Sequence, residues 1–150
     1  MEMERYTLVK NVNNSDYLFY SIGKMSITLK VVRFRQIKVL GESVFNVAFG
    51  DLNESTDEID DKAISNNGDR LKILNTVASA IADFIEQRPN AIILAKGSTL
   101  SRVRLYQMAI SSFWSRISQQ YEIYGKTSGQ WIPFRKGVNF EEFLLFRKIK

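Results

Sequence analysis

Cysteine and histidine are both absent from this chain of 150 residues. Without cysteine there is no disulfide, no thiolate nucleophile and no cysteine zinc site. Without histidine there is no Ser-His-Asp triad, no imidazole base and no histidine metal ligand. Any acid–base chemistry falls to carboxylates, tyrosine, lysine or the chain's own amine. Long apolar runs are missing too: nothing approaches the roughly 18 consecutive apolar residues of a membrane-spanning helix. The opening MEMERYTLVK mixes both signs of charge and lacks an apolar stretch before a small-residue cleavage site, so no signal peptide is expected. These absences lead to the expectation of a cytoplasmic chain with no metal, no resident cofactor and no membrane partner.

Proline is scarce, and Pro89 and Pro133 both fall at element edges. No repeat, low-complexity tract or linker interrupts the chain, so one domain over residues 1–150 is expected. Hydrophobic residues make up 45% and charged residues 25%, enough apolar material for a real core. The net charge of +5 is unevenly spread. Residues 51–90 hold four bases and nine acids, whereas residues 91–150 hold ten bases and three acids. A basic C-terminal part attracts phosphate, nucleic acid or an acidic partner.

The first half reads as strands. TLVK and DYLFYSI are short β segments, SITLKVVRFRQIKVL is rich in β-branched residues, and SVFNVAFG sets Phe45, Val47 and Phe49 on one face. GDLNESTDEIDD, with six acids and no base, reads as a solvated loop without EF-hand spacing, and IDDKAIS as a further strand. The period then changes. Leu74, Val77, Ala78, Ile81, Phe84 and Ile85 follow helical spacing, with Asp69 as N-cap and Pro89 as terminator. AIILA reads as a short strand. Val103, Tyr106, Ile110, Phe113, Trp114, Ile117 and Tyr121 stripe a second helix from Thr99, and EIYG and QWIPF form a hairpin around Lys-Thr-Ser-Gly. FEEFLLFRK closes the chain as a strand or short helix. The order predicts an α+β fold: a mostly antiparallel meander, then helix-strand-helix and a C-terminal hairpin, with two helices on one sheet.

The best place for chemistry is the passage AIILAKGSTLSRVRLYQM. A strand ending in Gly97-Ser98-Thr99 and entering a helix aims backbone N–H groups and the helix dipole at one spot. Ser98 and Thr99 add hydroxyls, and Lys96, Arg102 and Arg104 add positive charge, so the corner could hold a phosphate or carboxylate. It is not a Walker loop. The plainer alternative is a glycine turn with Ser98 or Thr99 capping the helix. A second loop, Asn66-Asn67-Gly68-Asp69, opens the first helix; it is either a partner of the corner, with Asp69 facing Arg102 or Arg104, or an Asn-Gly turn with an aspartate cap. Tyr106, Trp114, Tyr121, Tyr124 and Trp131 fall mostly at core or sheet positions, with base stacking the lesser reading.

NNGDR, TVAS, P-x-A-x-I, KGST-x-x-R-x-RLY, YEIYG and W-x-P-F-x-x-G-x-N-F-E-x-F-L together resemble an uncharacterised family of small, single-domain bacterial proteins typical of Bacteroidetes, over nearly the whole chain from about Phe45. That resemblance implies a one-domain bacterial protein and no particular activity. The element order also resembles, more weakly, acetyltransferases of the GNAT type. That likeness implies acetyl-CoA as cofactor, Asn67–Arg70 in the pyrophosphate loop and Tyr106 as the acid that protonates a leaving thiolate, although the loop departs from Q/R-x-x-G-x-G/A.

Three functions remain open from sequence. One is a binding module for nucleic acid or a nucleotide phosphate at the basic corner, in a defence or toxin–antitoxin setting. Another is an enzyme, either GNAT-like or a histidine-free ribonuclease using Lys96, Arg102, Arg104 and Tyr106. The third is a protein-interaction domain or homodimer using sheet edges or the acidic loop.

Overall fold

A computed structural model describes residues 4–11, 15–24, 26–39, 42–60 and 68–148. The strands are β1 (Val9–Lys10), β2 (Asp16–Ile22), β3 (Ile27–Val39), β4 (Glu42–Asn53), β5 (Glu58–Asp60), β6 (Ile92–Ala95), β7 (Tyr121–Thr127), β8 (Gln130–Pro133) and β9 (Glu142–Arg147). The helices are α1 (Arg70–Gln87), α2 (Leu100–Ser112) and α3 (Trp114–Gln120). Hydrogen bonding links the strands in the order β1-β2-β3-β4-β6-β9-β7-β8, with β5 paired to β4. β4 and β6 run parallel, Val44 to Val47 opposite Ile92 to Ala95. A parallel pair needs a crossover, and α1 lies in it. The sheet is otherwise mostly antiparallel, as the alternating pattern predicts, and the fold is α+β with helices packed on a sheet.

The chain forms two compact units, Met1–Phe34 with Ala48–Glu86, and Arg35–Val47 with Gln87–Lys150. β3 and β4 contribute to both. In the first unit the β2–β3 hairpin pairs Asp16 with Arg33 and Ile22 with Ile27. Alternation puts Tyr17 and Phe19 on the face that α1 covers, and Phe84 of α1 stacks on Phe34 with ring centroids 4.0 Å apart. Full burial of one such ring contributes on the order of 1.5–3 kcal/mol.

In the second unit α2 and α3 pack over Val103, Ile123, Phe134, Phe140 and Phe143. Gly125 is required there: a Cβ at that position would collide with the Phe140 ring. The β7–β8 hairpin turns through Ser128 and Gly129, with φ of 51° and 78°. Two successive positive φ values make the two-residue turn that matches strand twist.

Three local expectations change. The acidic segment is not all loop: β4 runs on to Asn53, a turn follows, and β5 returns along Asp51 to Asn53. Asn53 organises the turn, its Oδ1 accepting from the amides of Ser55 (3.0 Å) and Thr56 (3.3 Å). The strand expected at IDDKAIS reaches only Asp60 among the described residues, since residues 61–67 lie outside them. The second helix is broken at Phe113, where φ is −107° and ψ is 13°. Either side of the break, Ile110, Trp114 and Ile117 all lie against the same aromatic cluster.

Candidate functional site

The corner between β6 and α2 is built as a packed joint. Gly97 carries no Cβ because the first turn of α2 lies against it: an added Cβ would sit 2.7 Å from the Val103 amide nitrogen and 2.8 Å from its Cγ2. Thr99 takes the N-cap position in extended conformation, and its hydroxyl accepts from the Arg102 amide at 3.2 Å. Its carbonyl accepts from the Val103 amide at 3.1 Å. Of the otherwise free amides at this helix start, that of Arg102 is therefore satisfied within the turn.

The cations of the corner stand in different surroundings. Arg102 is only 9% exposed. Arg104 donates from Nη1 to Gln107 Oε1 at 2.9 Å and to the Phe140 carbonyl at 3.1 Å. Gln107 then donates to the Val138 carbonyl at 2.6 Å and accepts from the Phe140 amide at 3.2 Å. Arg104 and Gln107 together tie α2 to the segment before β9, which satisfies main-chain groups there. Tyr106 is half-buried against the aromatic cluster. Lys96 and Ser98 remain exposed.

The second loop is positioned by the first unit. Asn66 and Asn67 lie outside the described residues. Gly68 has φ of +70°, a conformation that favours glycine. Asp69 stands at the start of α1, and its carbonyl accepts from the Ile73 amide at 2.9 Å. In its carboxylate, Oδ2 accepts from the Tyr6 hydroxyl at 2.5 Å and the Ser21 hydroxyl at 2.6 Å. Burial, and then the adjoining Asp69 carboxylate, push the Tyr6 phenol above its usual range.

Charge is where the units differ most. The first unit holds eight basic and twelve acidic residues, net −4, and the second holds 13 basic and four acidic, net +9. In the first unit Lys10 pairs with Asp83, Lys30 with Asp51, Lys72 with Glu4, and Arg33 with both Asp16 and Asp57. The Arg33 guanidinium meets Asp16 through two parallel bonds of 2.9 Å, and those bonds raise its already high pKa. In the second unit Lys126 pairs with Glu142 at 3.6 Å. Arg35, Lys38, Lys96, Arg116, Arg135, Lys136, Arg147 and Lys148 are exposed and make no ion pair among the described residues.

Sequence reasoning did not find the buried pairs of Lys30 and Arg33, nor the Tyr6–Asp69–Ser21 cluster. Their partners lie 17 to 63 residues apart, and no local pattern announces them. Six of these eight cations, unpaired among the described residues, fall in the C-terminal part whose charge excess foreshadowed them.

The chain belongs to the Family of unknown function (DUF6934), whose family model matches residues 2–148. That is in keeping with the uncharacterised family suggested by the motifs. No curated protein and no solved structure matches the chain. Among the described residues no helix is long and apolar enough to cross a membrane, and no cluster of acidic side chains has the make-up of a metal site.

Proposed function

We propose that the protein binds a polyanion, nucleic acid foremost, through the basic surface of its second unit. The observation that carries this reading is the group of eight exposed cations without ion pairs among the described residues, in a unit of net charge +9. Unpaired surface cations are the groups that neutralise phosphates and release their counterions. In this reading the exposed Lys96 and Ser98 of the KGST corner contribute to that surface.

Salt dependence tests the proposal. Fluorescence anisotropy with a labelled oligonucleotide should show log affinity falling linearly with log salt. For four or more phosphate contacts the loss is on the order of a hundredfold between roughly 50 and 200 mM. Replacing both Arg135 and Lys136 with alanine should reduce the slope by about two and weaken all sequences alike. Affinity that stays flat across this salt range, or no binding at the lowest salt, would overturn it.

A further inference from the structure

Alternation along the paired strands of the second unit gives its sheet two faces. One face carries Ala95, Ile123, Ile132, Phe143 and Leu145, against which α2, α3 and the Phe134–Phe140 segment pack. The intervening residues point to the other face, where no helix of the unit's described residues packs. Register places Trp131 beside Lys126, Tyr124 beside Pro133 and Leu144, and Phe146 beside Glu122. The three aromatic residues therefore fall on one diagonal, Trp131 on β8, Tyr124 on β7 and Phe146 on β9. Such diagonal neighbours are about 7–8 Å apart.

Two of the rings are parallel neighbours, both half-buried, and the third is exposed. Tyr124 and Phe146 have centroids 5.9 Å apart and planes within 8°. Trp131, on the edge strand, is 39% exposed, and Lys126 Nζ lies 6.0 Å from its ring centre. Lys126 holds Glu142, Glu122 stands beside Phe146, and Lys148 follows two residues after Phe146. The face itself is thus near neutral, while the unit that bears it is strongly positive.

We propose that this diagonal is a stacking platform for the bases of single-stranded nucleic acid. The proposal rests on the polyanion reading and names the substrate class for it. Bases in a duplex are already stacked and hidden, whereas those of a single strand offer free π faces. Stacking accepts any base, so such a surface needs no groove and no hydrogen-bond code. The phosphates between the bases would be drawn by the net charge of +9 that the unit carries as a whole, which supplies the charge complementarity the aromatic face lacks.

The test compares three labelled ligands at one salt concentration: a short oligodeoxythymidylate, a duplex of the same length, and heparin, a polyanion without bases. The oligodeoxythymidylate should bind roughly tenfold or more tightly than the duplex and quench Trp131 fluorescence. Trp131→Leu, Tyr124→Leu and Phe146→Leu, which keep an apolar side chain, should each weaken it about fivefold or more and leave heparin unchanged. Circular dichroism and Tm establish that each variant is folded, and the exposed Trp131 position carries the test should either sheet-centre variant fail to fold. If the oligodeoxythymidylate behaves like heparin and the variants change nothing, the platform is overturned while polyanion binding stands. If none of the ligands binds, both fall together. If the substitutions convert a dimer to a monomer in sedimentation without altering affinity, the face is a self-association surface and the platform is overturned.

Discussion

Lys30 and Arg33 sit three residues apart on one strand of the first unit, both buried, and each meets a carboxylate. Arg135, Lys136 and Arg147 of the second unit stand exposed with none among the described residues. The first unit is net negative and directs two of its cations, Lys30 and Arg33, inward to hold strands and turns together. Arg33 alone joins β2, β3 and the turn before β5. The second unit is strongly positive and achieves its packing with rings and close backbone contacts, Phe140 over Gly125 and the α2 turn over Gly97. The lesson is that net charge by itself says little about function. What matters is whether the charges are engaged, because a largely buried pair is structural and a solvated, unpaired cation is available to a ligand.

The largest effect is expected from Arg33→Ala, which strands Asp16, a carboxylate whose side chain is 13% exposed. Removing one partner of such a pair costs about 3 kcal/mol or more, read as Tm or urea midpoint. The double change Arg33→Met with Asp16→Leu should recover much of it, because no orphaned charge remains. A loss below about 1 kcal/mol for the single variant would break the comparison, since the first unit's charges would then be as dispensable as surface pairs.

Gly125→Ala should follow, at about 2–3 kcal/mol, because the Phe140 ring is fully buried and has nowhere to move. Its cost should be insensitive to salt, in contrast to that of Lys10→Ala, whose pair with Asp83 is partly solvated.

Tyr6→Phe is next, at about 1–2 kcal/mol, for loss of a hydrogen bond to a carboxylate. Here the sign of the pH dependence is informative. The phenol's folded-state pKa is raised, so its contribution is fully present below the unfolded value near 10 and is lost as pH rises through the folded value. The Tm difference between wild type and Tyr6→Phe should therefore be constant around neutrality and shrink above pH 10. A difference that grows there would mean Asp69 does not hold the neutral phenol.

The smallest effect on stability, within about 0.5 kcal/mol, belongs to the Arg135→Ala and Lys136→Ala pair that should weaken nucleic acid. Destabilisation comparable to Arg33→Ala would erase the distinction between the two units.

Periodicity made most of the fold legible. DYLFYSI is β2 to the residue, the β-rich run is β3 within one or two residues, and Leu74 to Ile85 lie on α1. The candidate corner was legible as a turn and an N-cap, because Gly97 and Thr99 act through neighbours three to six residues away. It was not legible that Arg104 would be spent on the Phe140 carbonyl, 36 residues on. The Asp69 carboxylate was readable as a cap because sequence shows the helix behind it, but not Tyr6 and Ser21 in front. The aromatic diagonal was equally hidden, since Trp131, Tyr124 and Phe146 become neighbours only once β8, β7 and β9 are in register.

The amino-acid order by itself determined the elements, the absence of cysteine and histidine chemistry, and the excess of positive charge in the C-terminal part. Those are properties of composition and of short-range spacing. Which cations are buried against carboxylates, which are left to solvent, and which rings line up across the sheet were decided only by tertiary structure. Burial and pairing depend on groups that are distant along the chain and adjacent only after folding.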